Sequence, residues 1–376
     1  MTSNFVTSGT LRRRIEEEAE PAPLEAVAPV LFEVGDIHRV DGAVISAGLE
    51  LAGMEAELEG AERAALGVLV VVSLLNQQRG STHLPLEVDA SDAPLDAWLH
   101  EIAEAAVDFD GHVDDRLLQP DQLRRTIDGL LEDEGAPNVI GAPGEFKPLQ
   151  WDGRRLYQQQ LASYENRLVE LIDDSLVDPV DSPSEADIAG ATDELAEAMP
   201  LLDDGTPMAL NDEQWGALEA VASSSLALVS GGPGTGKTSV VVSILRLMAR
   251  LGVSGDEIAL AAPTGKAANR LGGEIRDQFA GLEEIPEVDE ELIDELRDPQ
   301  TLHRLLGYSP SADRYHFDEQ NPLGERLVIV DEASMIDLYM MRQLFGAVAD
   351  GARLVLVGDA DQLPSVENGA VFRDLV

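Results

Sequence analysis

The chain has 376 residues, a formal net charge of −45 and an apolar fraction of 44%; that length is a soft prior for two or three domains, and that apolar fraction excludes wholesale disorder. It has no cysteine, which excludes disulfides, thiolate nucleophiles and zinc–thiolate sites together. Met1–Glu20 has no apolar stretch of the signal-peptide kind, and the longest apolar run, Ala64–Leu75, is shorter than the roughly 20 residues a membrane span needs, so a soluble cytoplasmic chain without a membrane partner is expected.

Residues 1–30 mix charge with Pro21, Pro23 and Pro29 and show no period, which predicts a disordered acidic arm. From 31 to 172 a mostly helical domain is expected. Helical spacing runs from Ile37 to Leu75, with Val68–Val72 as core, and recurs over Ala97–Val107 and Asp121–Leu131. Leu149–Tyr164 predicts a short hairpin or strand followed by a helix. Residues 173–207 are acidic, carry Pro179, Pro183, Pro200 and Pro207 and few large apolar groups, and predict a linker. From 208 to 376 the pattern changes. The short apolar runs Leu226–Val229, Ile258–Ala262, Leu327–Val330 and Leu354–Val357 alternate with amphipathic stretches, the pattern of a parallel α/β sheet covered on both faces. Ligands on such sheets sit at the carboxyl ends of the strands.

Each chemical motif begins at such an end. Gly231-Gly232-Pro233-Gly234-Thr235-Gly236-Lys237-Thr238 fits the phosphate-loop pattern without a mismatch and lies between a predicted strand and a predicted helix, Ser239–Leu251. Its glycines let backbone N–H groups turn towards a phosphate; Lys237 suits the β- and γ-phosphates of ATP, and Thr238 suits Mg²⁺. Asp331 and Glu332 close the strand Leu327–Val330. An acid ending a buried strand is costly unless it meets a cation, which suits Asp331 to Mg²⁺ and Glu332 to activating water. Gln362, in the loop after Leu354–Val357, can donate and accept, as a γ-phosphate sensor must. Gln214 could read adenine, or Asn211 and Asp212 could mark an ordinary helix start. After the strand Ile258–Ala262, Thr264 and Lys266 open a helix. A lysine there is normally unfavourable, and the chain has only three (Lys147, Lys237 and Lys266), which points to an anionic ligand such as a nucleic-acid phosphate.

Two further signals carry less. Pro120-Asp121 with Glu145-Phe146-Lys147 mimics a metal-nuclease signature, but flanking Pro143, Gly144 and Pro148 predict a turn where that chemistry needs a strand. Asp108–Gly111 mimics a calcium loop with its glycine misplaced. The acidity fits either a surface adapted to high intracellular salt or a plain solvated one, and by itself disfavours nucleic-acid binding.

Together the phosphate loop, APTGKAANRL at 262–271, TLHRLLGY at 301–308, NPL at 321–323, VIVDEASMID at 328–337 and VGDADQLPSV at 357–366 resemble, in order, the alpha-subunit family of exodeoxyribonuclease V, the RecD-type superfamily-one DNA helicases. The N-terminal half is similar but looser, through IHRVDGAV at 37–44 and LQWDGRRLYQQQLASYEN at 149–166. The resemblance implies a first RecA-like motor domain behind a helical domain that docks on the gamma subunit. It further implies ATP and Mg²⁺ as cofactors, with Gln214 reading adenine. The implied partners are the beta and gamma subunits and single-stranded DNA, lying along Thr264, Lys266 and His303. The implied activity is 5′-to-3′ unwinding in double-strand-break repair. A stand-alone helicase and a nucleotide-binding assembly module that does not unwind are the alternatives. The family continues with a second motor domain that supplies an arginine finger. Nothing after Val366 matches its motifs, so the expectation is a truncated product or a fragment that does not itself unwind DNA.

Overall fold

Buried apolar residues form two separate cores, and the chain divides accordingly, one unit running to Ser163 and a second beginning at Tyr164. The computed structural model describes residues 23–86, 94–109, 115–132, 134–177, 183–201, 206–362 and 371–376. Residues 1–22 of the expected arm, part of the calcium-loop mimic and the Leu-Pro-Ser-Val segment after Gln362 lie outside the described residues.

The first unit contains α1 (Pro23–Ile37), α2 (Gly42–Ala52), α3 (Gly60–Gln78), β1 (His83–Pro85), α4 (Pro94–Asp108), α5 (Pro120–Glu132), β2 (Ile140–Gly141), β3 (Leu149–Trp151) and β4 (Arg155–Gln158). Helix α3 is buried without interruption from Ala64 to Ser73, as expected of a helix that is apolar all round. Asp41 starts α2 by accepting from the Ala43 N–H at 2.9 Å. Gly48 of α2 faces α3 so closely that a Cβ there would sit 2.8 Å from Val71. The strands form a small sheet in the order β1-β4-β3-β2, so the helical domain also carries a sheet that periodicity showed only at 149–158. The triplet Glu145–Lys147 lies in turns, and Glu145 accepts from the Ala142 N–H at 3.1 Å.

Two expectations are corrected. Residues 23–30 are no arm: they are helical, and Ala26–Leu31 are buried. Of the prolines that suggested disorder, Pro23 occupies the first helical position, where its missing N–H has no partner to lose, while Pro29 lies inside the helix. Nor is 173–207 a bare linker. Helix α6 (Gln159–Val177) runs into it, and α7 (Glu185–Glu197) follows. Ser184 and Asp187 form a capping box on α7, and Ala191 and Leu195 enter the second core. An acidic helix needs only one apolar stripe, and Ile188, Ala191 and Leu195 supply it at helical spacing. The division of the chain falls in the second turn of α6, before the expected linker.

The second unit continues with α8 (Asp212–Ser223), β5 (Leu226–Ser230), α9 (Lys237–Arg250), β6 (Ile258–Ala262), α10 (Gly265–Ala280), α11 (Glu287–Glu295), β7 (Gln300–Thr301), α12 (Leu302–Leu305), β8 (Leu327–Val330), α13 (Leu338–Ala347), β9 (Arg353–Gly358) and α14 (Val371–Leu375). All five strands are parallel, in the order β5-β9-β8-β6-β7. The four strands read from the sequence are all present; β7 was too short to register. Behind the sheet, Arg246 of α9 is 1% exposed and bonds Asp289 of α11, which is fully buried and also holds Arg250. Arg246 further donates to the Ala198 carbonyl at 2.6 Å. This triad ties α11 and the end of α7 to the phosphate-loop helix.

Candidate functional site

The strand order sorts the motifs along the carboxyl rim of the sheet. β5, β9 and β8 are neighbours and deliver, side by side, the loop Gly231–Gly236, the loop Asp359–Gln362 and the pair Asp331–Glu332. β6 and β7 follow and deliver Thr264, Lys266 and His303. Parallel registers hold the loops in place: the Gly231 N–H donates to Gly358 at 3.1 Å and the Asp331 N–H to Ala261 at 2.9 Å.

In the phosphate loop, Gly234 and Gly236 have φ of +77° and +81°, a region that side-chain-bearing residues avoid. A Cβ at Gly231 would lie 2.6 Å from Thr235 Oγ1. Lys237 opens α9 and its Nζ donates to the Gly231 and Gly232 carbonyls at 2.7 and 3.0 Å, which sets the amine at the centre of the loop. Pro233, Gly234 and Thr235 are exposed at its crest. Asn211 caps α8, and Gln214 completes the capping box; the same Gln214 amide then donates through Nε2 to the Thr235 carbonyl at 3.1 Å. The sequence left adenine reading and helix capping open; Gln214 caps and also touches the phosphate loop.

Asp331 is half-buried, and burial pushes its carboxyl above the ordinary aspartate range, with the neighbouring Glu332 charge acting the same way against a bond from the Glu332 backbone. Glu332 is itself a non-glycine residue in the left-handed region, φ 55° and ψ 38°, a strain of about 1–3 kcal/mol. That bend starts the turn Ala333–Met335 at the strand end. Ser334 in that turn donates to Gln362 Oε1 at 3.3 Å, joining the β8 and β9 loops. Thr238 donates its hydroxyl to Glu274 of α10, whose carboxyl also accepts from Arg270 at 2.8 Å. Arg270 lies 3.6 Å from Glu332. Sequence reasoning missed Arg270, Glu274 and Ser334. The signal for the first two was available: they follow Lys266 at intervals of four.

The oxygen donors of Thr238 and Asp331 match a hard cation that takes one or two carboxylates together with substrate phosphates. Among the described residues no group of three or more acidic or histidine side chains forms an all-protein metal cage, the arrangement Mg²⁺ uses least.

On the other half of the rim, β6 and β7 pair at Ala262 and Thr301. Two residues beyond each lie Thr264 and His303, both exposed, as is Lys266. Thr264 caps α10 by accepting from the Ala267 N–H at 3.2 Å. The His303 ring stands 5.5 Å from Tyr308 and 6.1 Å from Tyr315, an aromatic cluster that Tyr339 and Tyr164 extend. No helix among the described residues is long and apolar enough to cross a membrane.

A glycine-lined loop between a parallel strand and a helix, with an acid pair two strands away on the same rim, defines a P-loop nucleoside-triphosphatase domain. Residues 214–368 match the family described as an AAA domain. The same half is similar to the RecBCD enzyme subunit RecD of Mycobacterium tuberculosis, 48% identical over 169 residues, 44% of this chain and 28% of that protein. The RecBCD enzyme subunit RecD of Haemophilus influenzae is 40% identical over 165 residues, 44% and 26% of the two chains. The ATP-dependent RecD2 DNA helicase of Deinococcus radiodurans is 41% identical over 160 residues, 43% and 19%. The chain spans less than a third of the length of the curated relatives it matches. Over its nucleotide-binding half, the RecD-type resemblance read from the motifs is borne out.

Proposed function

We propose that the chain is part of an ATP-dependent DNA helicase of the RecD type, a subunit acting with beta and gamma partners of exodeoxyribonuclease V in cytoplasmic double-strand-break repair. The observation that carries this reading is the order along the rim, with the phosphate loop and acid pair on β5, β9 and β8 and the exposed Thr264, Lys266 and His303 on the adjoining β6 and β7. In this reading ATP phosphates lie in the Gly231–Gly236 loop, against the N-terminus of α9, whose N–H groups and dipole favour anions. Lys237 turns from the loop carbonyls to the β- and γ-phosphates. Thr238 and Asp331 hold Mg²⁺, which when bound neutralises phosphate charge. Glu332 orients and deprotonates the attacking water, and Gln362 senses the γ-phosphate through its link to Ser334. Gln214 faces the adenine. Thr264 and Lys266 hold a strand phosphate, and His303 lies along the same strand, 5′ to 3′.

The similarity to the ATP-dependent RecD2 DNA helicase of Deinococcus radiodurans supports a second reading as a stand-alone enzyme. Two measurements test the proposal. Single-stranded DNA should bind the chain, and tagged beta and gamma subunits should retain it on a column, while the chain by itself unwinds no duplex. A chain that binds no DNA contradicts the helicase reading; DNA binding without co-purification selects the stand-alone enzyme.

A further inference from the structure

Helix α10 carries Lys266, Arg270, Glu274 and Gln278 at successive intervals of four, a spacing that aligns side chains along one face. Lys266, exposed in the first turn, stands on the rim of β6 and β7. Below it, Arg270 reaches Glu332 at 3.6 Å and binds Glu274 at 2.8 Å. Glu274 takes the Thr238 hydroxyl, and Gln278 donates to Ser239 at 3.1 Å. From Lys266 to Glu274 the axial rise is about 12 Å at 1.5 Å per residue. One rigid element therefore begins among the residues assigned to the strand and ends against those assigned to ATP.

An ordinary exposed ion pair at this spacing contributes about 0–1 kcal/mol and needs no further explanation. Arg270 and Glu274 differ from such a pair because each holds a second group, on another element, that belongs to the nucleotide site. Glu332 also sits on a strained backbone, so its side-chain direction depends on what it contacts.

We propose that Arg270 is a positioning residue that couples strand binding to the nucleotide site: a phosphate held at Thr264 and Lys266 sets the seating of α10, and Arg270 transmits that seating to Glu332 while Glu274 transmits it to Thr238. The proposal rests on the helicase reading above and adds its regulation. Coupling of this kind is a ratio of affinities and is reciprocal between the two ligands.

The test measures that ratio without turnover. Binding of a fluorescent, non-hydrolysable ATP analogue with Mg²⁺ to the 376-residue chain is measured with and without a twelve-nucleotide oligothymidylate, a probe of about 12 nucleotides being within the range of single-strand sites. The strand should tighten analogue binding about tenfold, within the common range for coupled sites. In Arg270→Gln the ratio should fall below about twofold while each ligand alone binds within about threefold of the parent. Arg270 is 62% exposed, so the fold should tolerate the change; if its thermal transition moves, Glu274→Gln tests the same relay and should also lower the ratio. A tenfold ratio retained in both variants overturns the proposal, as does a parent chain that binds both ligands without linkage. A chain that binds neither ligand overturns the helicase reading and the proposal together.

Discussion

Each unit buries a carboxylate, and the two behave differently. Glu55, in the first unit, is 3% exposed and accepts from the backbone N–H groups of Asn138 and Val139 and from the Asn138 amide at 2.9 Å. Its charge is answered by donors of its own unit, and it closes a loop. Asp331, in the second unit, is less buried, yet burial and Glu332 push its carboxyl up. Both acids lie near the ends of local structure in an acidic chain, so neither burial nor net charge marks a site. What marks one is an acid pushed up by burial at the carboxyl end of a parallel strand, on the same rim as a glycine-lined loop.

The largest effect that could break this contrast is chemical. Glu332→Gln should lower single-turnover ATP hydrolysis by about 10²–10⁴-fold, the usual contribution of a general base, while ATP binding is kept; unchanged hydrolysis in a quench-flow assay removes Glu332 from that role.

Next in size is Asp289, a buried carboxylate of the second unit that is structural, as Glu55 is in the first. Burial alone would raise it, but bonds from Arg250 and Arg246 prevail and hold it below the ordinary aspartate range. A depressed folded-state value means stability present above the unfolded aspartate range and lost as pH falls through the folded value. Asp289→Asn should therefore cost about 3–5 kcal/mol at neutral pH, as expected when one partner of a buried ion pair is removed, and the loss should shrink in acid. Urea titrations at neutral and acid pH check both statements.

Salt should treat the two units alike, since acid exceeds base in each. The Debye length is about 10 Å at 0.1 M and about 3 Å at 1 M, so the melting temperature should rise by several degrees from 0.1 to 2 M KCl. A flat curve removes the high-salt reading of the composition.

The smallest effect has the opposite sign to that at Asp289. A raised carboxyl destabilises the fold as pH climbs from the unfolded towards the folded value. Asp331→Asn should then stabilise the ligand-free chain at neutral pH, by about 2–4 °C if the gain is near 1 kcal/mol. A fall in differential scanning fluorimetry contradicts the contrast with Glu55.

The two units were also unequally legible. The four longer strands of the second unit are continuous apolar runs, and the phosphate loop is contiguous in sequence, so the nucleotide side could be read residue by residue. The rim order could not, because it depends on β9 inserting between β5 and β8. The four-residue spacing puts Arg270 and Glu274 on one face with Lys266, but it does not name their partners, Glu332 after β8 and Thr238 on α9. In the first unit α3 is legible because it is apolar all round, whereas α1 and α7 hide their stripes behind prolines and acids. The small sheet there hides because two- to four-residue strands carry almost no periodicity.

The central claim is that the loop Gly231–Thr238 seats the phosphates of ATP, with Lys237 turning to meet them. Isothermal titration of the chain with Mg·ATP, beside Lys237→Ala, tests it directly. Loss of a charge-assisted bond should weaken ATP about 10- to 100-fold, while Glu55→Gln leaves affinity unchanged. Equal affinity of the parent and Lys237→Ala would contradict the account.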